Sequence, residues 1–232
     1  MDTTNPSRVS RAVKPDKGGF TLPPYRRVLL ILLACAVQMI YLPTSARTTG
    51  GIEPRLPIDI FPIWPVWILP YMACYLLWAL GVTWTILKMD DRHFRSWIAA
   101  CLFTFGVSVC IFIFFPTYVS PAALEENDLF TSLLRSIHEN WGRYDAFPSG
   151  HVYITTLLAL FFNRWYPHQR FIWALVLILV SLSTLFTGQH YLLDVFGGYL
   201  VAFAGYQFGL WWAGYLPARA RPGKTRLSSP QP

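Results

Sequence analysis

Charge is scarce in this chain. Asp, Glu, Lys and Arg make up 13% of its 232 residues, about half the share found in soluble globular domains. That rules out an ordinary water-exposed surface, and the 54% of hydrophobic positions belong in a bilayer. Cysteine is sparse as well. Cys35, Cys74, Cys101 and Cys110 form no CxxC pair and no Cys/His cluster, so neither a zinc motif nor a disulfide framework is supported. The four read as small apolar packing residues; no metal site and no cofactor are expected. No nucleic-acid-binding motif accompanies the net charge of +7.

What the chain has in abundance is long apolar runs. Six blocks, at about 28–42, 63–87, 97–115, 147–162, 171–186 and 192–212, approach or reach the roughly 20 helical residues that cross a hydrocarbon core. All six are expected to be helices, because lipid offers no partners to the backbone of an isolated strand. The predicted fold class is all-α, a six-transmembrane-helix bundle over residues 28–216. A basic segment, 1–27, precedes it and a disordered basic tail, 217–232, follows. The polar leader before the first block is long for a cleaved signal, so a retained anchor helix is expected.

Basic residues divide unevenly between the two sets of loops, and that bias sets orientation. Of the 19 Lys and Arg, only Arg47, Arg55, Arg135 and Arg143 fall on the side that also carries Glu125, Glu126, Asp128, Glu139 and Asp145. Both termini are therefore predicted cytoplasmic. The basic surface suits anionic lipid headgroups rather than nucleic acid.

Topology then sorts the histidines. His93 and His168 fall in cytoplasmic loops, and His138, His151 and His190 outside. His151 follows Pro148-Ser149-Gly150, a helix-start pattern whose free N–H groups attract anions. His190 closes the fifth span, and Asp194 follows four positions later. If the turn between them is helical, the two share a face. A carboxylate there holds Nδ1–H and leaves Nε2 free to attack. Each feature has a plain structural reading: an interfacial histidine, a helix cap, a common turn. Together, on one side of the membrane, they point to chemistry. His138, with no motif around it, is expected to be a solvated loop residue.

Pro148-Ser149-Gly150-His151 and Ser183-Thr184-x5-His190-x3-Asp194 resemble the second and third signatures of the type-2 phosphatidic acid phosphatase/haloperoxidase superfamily, over roughly residues 59–206. The resemblance implies a phosphohistidine mechanism in which His190 attacks phosphorus, Asp194 orients it, and His151 protonates the leaving oxygen and later activates the acceptor. The stretch Thr187-Gly188-Gln189-His190-Tyr191-x2-Asp194-Val195 is similar to the inositolphosphotransferase branch, which moves a phosphorylated headgroup onto a ceramide-type alcohol. The vanadium haloperoxidases, mostly soluble, fit six hydrophobic spans less well.

Two departures bear on the substrate. Thr184 stands where the family usually has Arg, and 115–121 carries no Lys or Arg where the Lys-x6-Arg-Pro motif belongs. A cation-poor site suits a singly charged phosphodiester better than a dianionic monoester. Ser149, Gly150, Arg143 and Gln189 are the candidate phosphate ligands, with Tyr118 and Tyr191 as further neutral donors; Arg143 can equally pair with Asp145. The expected activity is a metal-independent lipid phosphatase or phosphotransferase, with transfer favoured over hydrolysis. The alternative is a non-catalytic lipid-binding or lipid-translocating protein. Expected partners are membrane lipids, and a second copy through Gly205-x3-Gly209. The expected location is a bacterial inner membrane, with the site on its periplasmic face.

Overall fold

The computed structural model describes residues 22–46, 49–120, 123–124, 128–140 and 144–215. Arg47, Arg143, Glu125, Glu126, most of the basic leader and the whole basic tail lie outside the described residues. The described chain is helical, with no strand, as the all-α expectation requires. Its helices are α1 (Pro24–Met39), α2 (Tyr41–Ser45), α3 (Ile68–Lys88), α4 (Asp91–Phe114), α5 (Leu129–Asn140), α6 (Gly150–Trp165), α7 (Arg170–Phe186) and α8 (Leu192–Trp212).

Four helical stretches are long and apolar enough to cross a membrane on their own: Pro24–Ser45, Pro65–Lys88, Asp91–Phe114 and Pro167–Phe186. The helices at the fourth and sixth predicted spans, α6 and α8, are not among them: α6 has only 16 residues, short for a full crossing, and the composition of α8 follows from its packing. Both are central. α8 runs against α4 and α6, so its inner positions are Gly197, Gly198, Gly205 and Gly209, which permit close approach but contribute little hydropathy. Outer helices carry apolar residues on all sides. On α3, Leu69, Met72, Leu76, Leu80 and Leu87 are exposed while Tyr71, Cys74 and Thr85 are buried. A helix apolar on both faces suits protein on one side and lipid on the other.

A methyl group on Gly205 would sit 2.0 Å from Thr104 Oγ1, and one on Gly209 2.2 Å from the Ser96 carbonyl of α4. The Gly205-x3-Gly209 pair is thus filled by this chain's own α4. Gly209→Val is expected to destabilise the protein by about 1–3 kcal/mol through overpacking, read as a lowered unfolding temperature in detergent.

The bundle has two distinct ends. At one, buried Arg27 of α1 donates to the carbonyls of Thr85, Ile86 and Met89 at 2.6–3.2 Å, satisfying the end of α3. It also pairs with Asp91 at 2.5 Å. Arg92 donates to the Ala213 and Gly214 carbonyls beyond α8, and His93 packs on Trp165 and Tyr215. At the opposite end, Trp64 N–H donates to Phe186 O at 2.8 Å, Leu192 N–H donates to Asp59, and Ile52 and Tyr118 bridge to Thr117 and Tyr144. The amphipathic α5, which hydropathy alone does not reveal, lies at this second end, packing against the turn that opens α3.

Candidate functional site

Three helix ends build the site. α7 stops at Phe186, where the fifth apolar block ends, so His190 lies beyond the helix instead of closing it, and Gly188 takes a left-handed φ of 66°. Glycine adopts that conformation without a Cβ penalty. The turn folds back so that both Gln189 N–H and His190 N–H donate to Thr184 O at 3.1 Å. His190 therefore sits in a non-helical connection, and the expected helical i, i+4 geometry is replaced by a tight turn that brings Nδ1 of His190 to 3.4 Å from Asp194 Oδ2, an approach without the geometry of a hydrogen bond. Asp194, in the first turn of α8, is fully buried and also accepts from Tyr191 N–H at 2.8 Å. It acts as helix cap and histidine partner at once.

The second arm is the entry to α6. Thr117 organises it: the Thr117 carbonyl accepts from Asp145 N–H at 2.9 Å, and its hydroxyl from Phe147 N–H at 2.7 Å. Ser149 N–H then donates to Asp194 O at 3.0 Å, tying this arm to the first. Added methyls on Gly197 and Gly198 would meet the Phe147 ring at 2.2 Å and Val152 at 2.9 Å, so two glycines allow α8 to seat against the segment that carries His151. The His151 and His190 rings face each other edge-on, centroids 6.2 Å apart.

Both open onto a cavity of about 520 Å³, lined also by Gly150, Gln189, His138 and Asp145. Of the sequence candidates, His190, His151, Gly150 and Gln189 are thus brought together, with Asp194 directly behind. Ser149 is buried outside the lining; its hydroxyl finds no partner. Arg143 lies outside the described residues. Tyr118 packs on Tyr144, behind the lining. Tyr191 donates to Glu53. Burial first, then that bond, pushes the Tyr191 phenol up to about 12, while the bond holds the Glu53 carboxyl below its usual range. Tyr191 thus remains a neutral donor to the loop, not to the cavity.

His138 needs correction. It is half-buried on α5, its Nε2 3.0 Å from Thr187 O, and it lines the cavity. The reading as a solvated loop residue failed because α5 was not foreseen. The positions where the family's cations belong are also explained. Thr184 is fully buried, with its hydroxyl spent on Ser181 O at 2.8 Å. The 115–121 stretch contributes Val119 and Ser120 to the lining. No Lys or Arg lines the cavity among the described residues, and among them no cluster of three His, Cys, Asp or Glu is arranged for a metal ion.

The residues missed from sequence surround His151. Tyr71 stacks on its ring at 4.1 Å, Tyr75 and Trp78 flank it at 5.4 and 5.5 Å, and the Tyr75 hydroxyl is 3.1 Å from Nε2. Their spacing along α3 follows one helix face, a signal present in the sequence. Tyr75→Phe keeps the ring and removes the bond. A fall in kcat of about tenfold with KM little changed is expected for a positioning role of this kind, measured by steady-state kinetics on lipid micelles.

A family model described as the PAP2 superfamily matches residues 65–208, a span that includes α3, both histidine motifs and most of α8. No curated protein matches the chain.

Proposed function

This chain belongs to the PAP2 superfamily, and from that premise we propose that it transfers a phosphorylated headgroup between lipids through a phosphohistidine on His190. Membership indicates a phosphatase-type enzyme acting on lipid-type phosphoesters. The observation that carries the finer reading is that His190 and His151 open into one cavity with Asp194 buried behind His190.

In the proposed sequence, Nε2 of His190 attacks phosphorus while Asp194 stabilises the positive charge that develops on the imidazole. The bond from phosphorus to the leaving alcohol breaks, and His151, entering the step as the imidazolium, gives that oxygen its proton and is left as the neutral imidazole. His151 then takes a proton from the acceptor hydroxyl, that oxygen attacks phosphorus, and the phosphorus–nitrogen bond breaks. A lipid alcohol gives transfer; water gives hydrolysis. The cation-poor lining supports a diester donor, since one negative charge requires less neutralisation than two.

We read the bundle as crossing the membrane six times, α6 and α8 completing the four clearly apolar spans. The end bearing Arg27, Lys88, Arg92, Arg95, Arg164 and Arg170 faces the cytoplasm. That orientation puts the histidines at the outer face, periplasmic if the membrane is a bacterial inner membrane.

The test is a screen of purified protein with phospholipid donors and lipid-alcohol acceptors in EDTA, scoring free phosphate and new phospholipid. Headgroup transfer that withstands EDTA supports the reading; strict dependence on added metal overturns it. The buried Thr184 favours one competitor, a non-catalytic lipid-binding protein. That reading gains if lipid binds with no transfer or hydrolysis, and fails if phosphate is trapped on His190.

A further inference from the structure

We propose that the cavity selects a phospholipid headgroup carrying its own quaternary ammonium, a choline-type phosphodiester, with the charged nitrogen held against aromatic faces. This rests on the phosphodiester reading above and adds the headgroup to it.

The lining supports this in two ways. Tyr41 of α2, Tyr71, Tyr75 and Trp78 of α3, Phe112 of α4, and Tyr144 contribute rings to one cavity of about 520 Å³. Tyr75 and Trp78 meet edge to face at 5.0 Å, forming a corner beside His151. Aromatic faces are negative, and a desolvated cation placed over them is held by their quadrupoles, Trp best of all. Quaternary ammonium is the natural occupant of such a corner because it has no N–H to satisfy and presents methyl groups to the rings.

Charge supplies the second argument. The described lining holds the carboxylate of Asp145 and three histidines, with no Lys or Arg. An anionic headgroup such as phosphoglycerol or phosphoinositol brings a negative charge into this site with nothing of its own to offset it. A zwitterionic headgroup brings its own cation a few bonds from the phosphorus. That cation stays with the phosphoryl group when the glycerol oxygen leaves, so it remains close while negative charge develops on the phosphoryl oxygens. The ammonium thereby takes a role for which the described lining offers no Lys or Arg.

The experiment compares kcat/KM of the purified full-length protein for phosphatidylcholine, phosphatidylethanolamine, phosphatidylglycerol and phosphatidylinositol of identical acyl chains in mixed micelles, with a diacylglycerol or ceramide acceptor. The choline donor is expected to exceed the glycerol and inositol donors by about tenfold or more. Trp78→Leu is expected to collapse that ratio, and Trp78→Phe to retain most of it. The ratio is read within each variant, so general damage to folding cancels. Equal or better turnover of phosphatidylglycerol or phosphatidylinositol overturns the headgroup assignment and leaves phosphohistidine transfer standing. So does a ratio that survives Trp78→Leu. Turnover of none of the four, with no label trapped on His190, defeats the transfer reading itself and this proposal with it.

Discussion

His190→Ala is expected to lower turnover of any lipid phosphoester by about 10⁴-fold or more, the scale seen when a catalytic nucleophile is removed. The size follows from the chemistry. On the proposed mechanism, no covalent intermediate forms without the imidazole, and His151 alone must activate an acceptor against an intact diester. The fold has little reason to suffer. The His190 side chain is 9% exposed, and its ring lies beside the Asp194 carboxylate and the edge of His151, whereas the backbone bonds from Gln189 and His190 to Thr184 O do not involve the side chain. An unfolding temperature close to wild type, with no acid-labile phosphate trapped after rapid quench, completes the expected result. Activity within tenfold of wild type would remove His190 from the nucleophile's role.

The contrast between elements explains what was legible before coordinates. Length and hydropathy make α1, α3, α4 and α7 stand out in the sequence, and α4 does so although more than half of its apolar stretch is buried in protein. α6 is short at 16 residues, and α8 carries the glycines that its close packing uses, so their crossing signal is weaker although both lie inside the bundle. The histidine motifs were readable because each lies within a few residues of a helix boundary marked by Gly188 or by Pro148-Ser149-Gly150. What spacing did not reveal was what faces them. The contact between Tyr75 and His151 spans 76 positions, and no local pattern encodes it, although the shared face of Tyr71, Tyr75 and Trp78 was there to be noticed. His138 was misread for a related reason. α5 is a short amphipathic helix with apolar residues on one side and polar on the other, so it leaves no long hydrophobic run, yet it brings that imidazole to the cavity wall.

Asp194 is where a structural and a proposed chemical role meet in one carboxylate. Its Oδ2 accepts from Tyr191 N–H at 2.8 Å and lies 3.4 Å from His190 Nδ1. The second distance is long for a charge-assisted hydrogen bond; contacts of this kind commonly tighten once substrate is bound. Asp194→Asn keeps a side-chain oxygen for the Tyr191 N–H and fills the same space, so stability is expected to change by less than about 1 kcal/mol. It removes the charge that stabilises the imidazolium and can favour the wrong tautomer, and kcat is expected to fall by about 10²–10⁴-fold. Asp194→Ala is expected to lose activity on that scale and, in addition, about 1–2 kcal/mol of stability, because the Tyr191 N–H loses its partner at a buried helix start. Thermal unfolding and steady-state kinetics on the two variants separate the roles. If the carboxylate were only a cap, Asn would retain both stability and activity, and the loss would appear in Ala alone. If it orients His190, the two variants share the catalytic defect and differ in stability, since a neutral amide can replace the cap's acceptor but not the charge facing the imidazole.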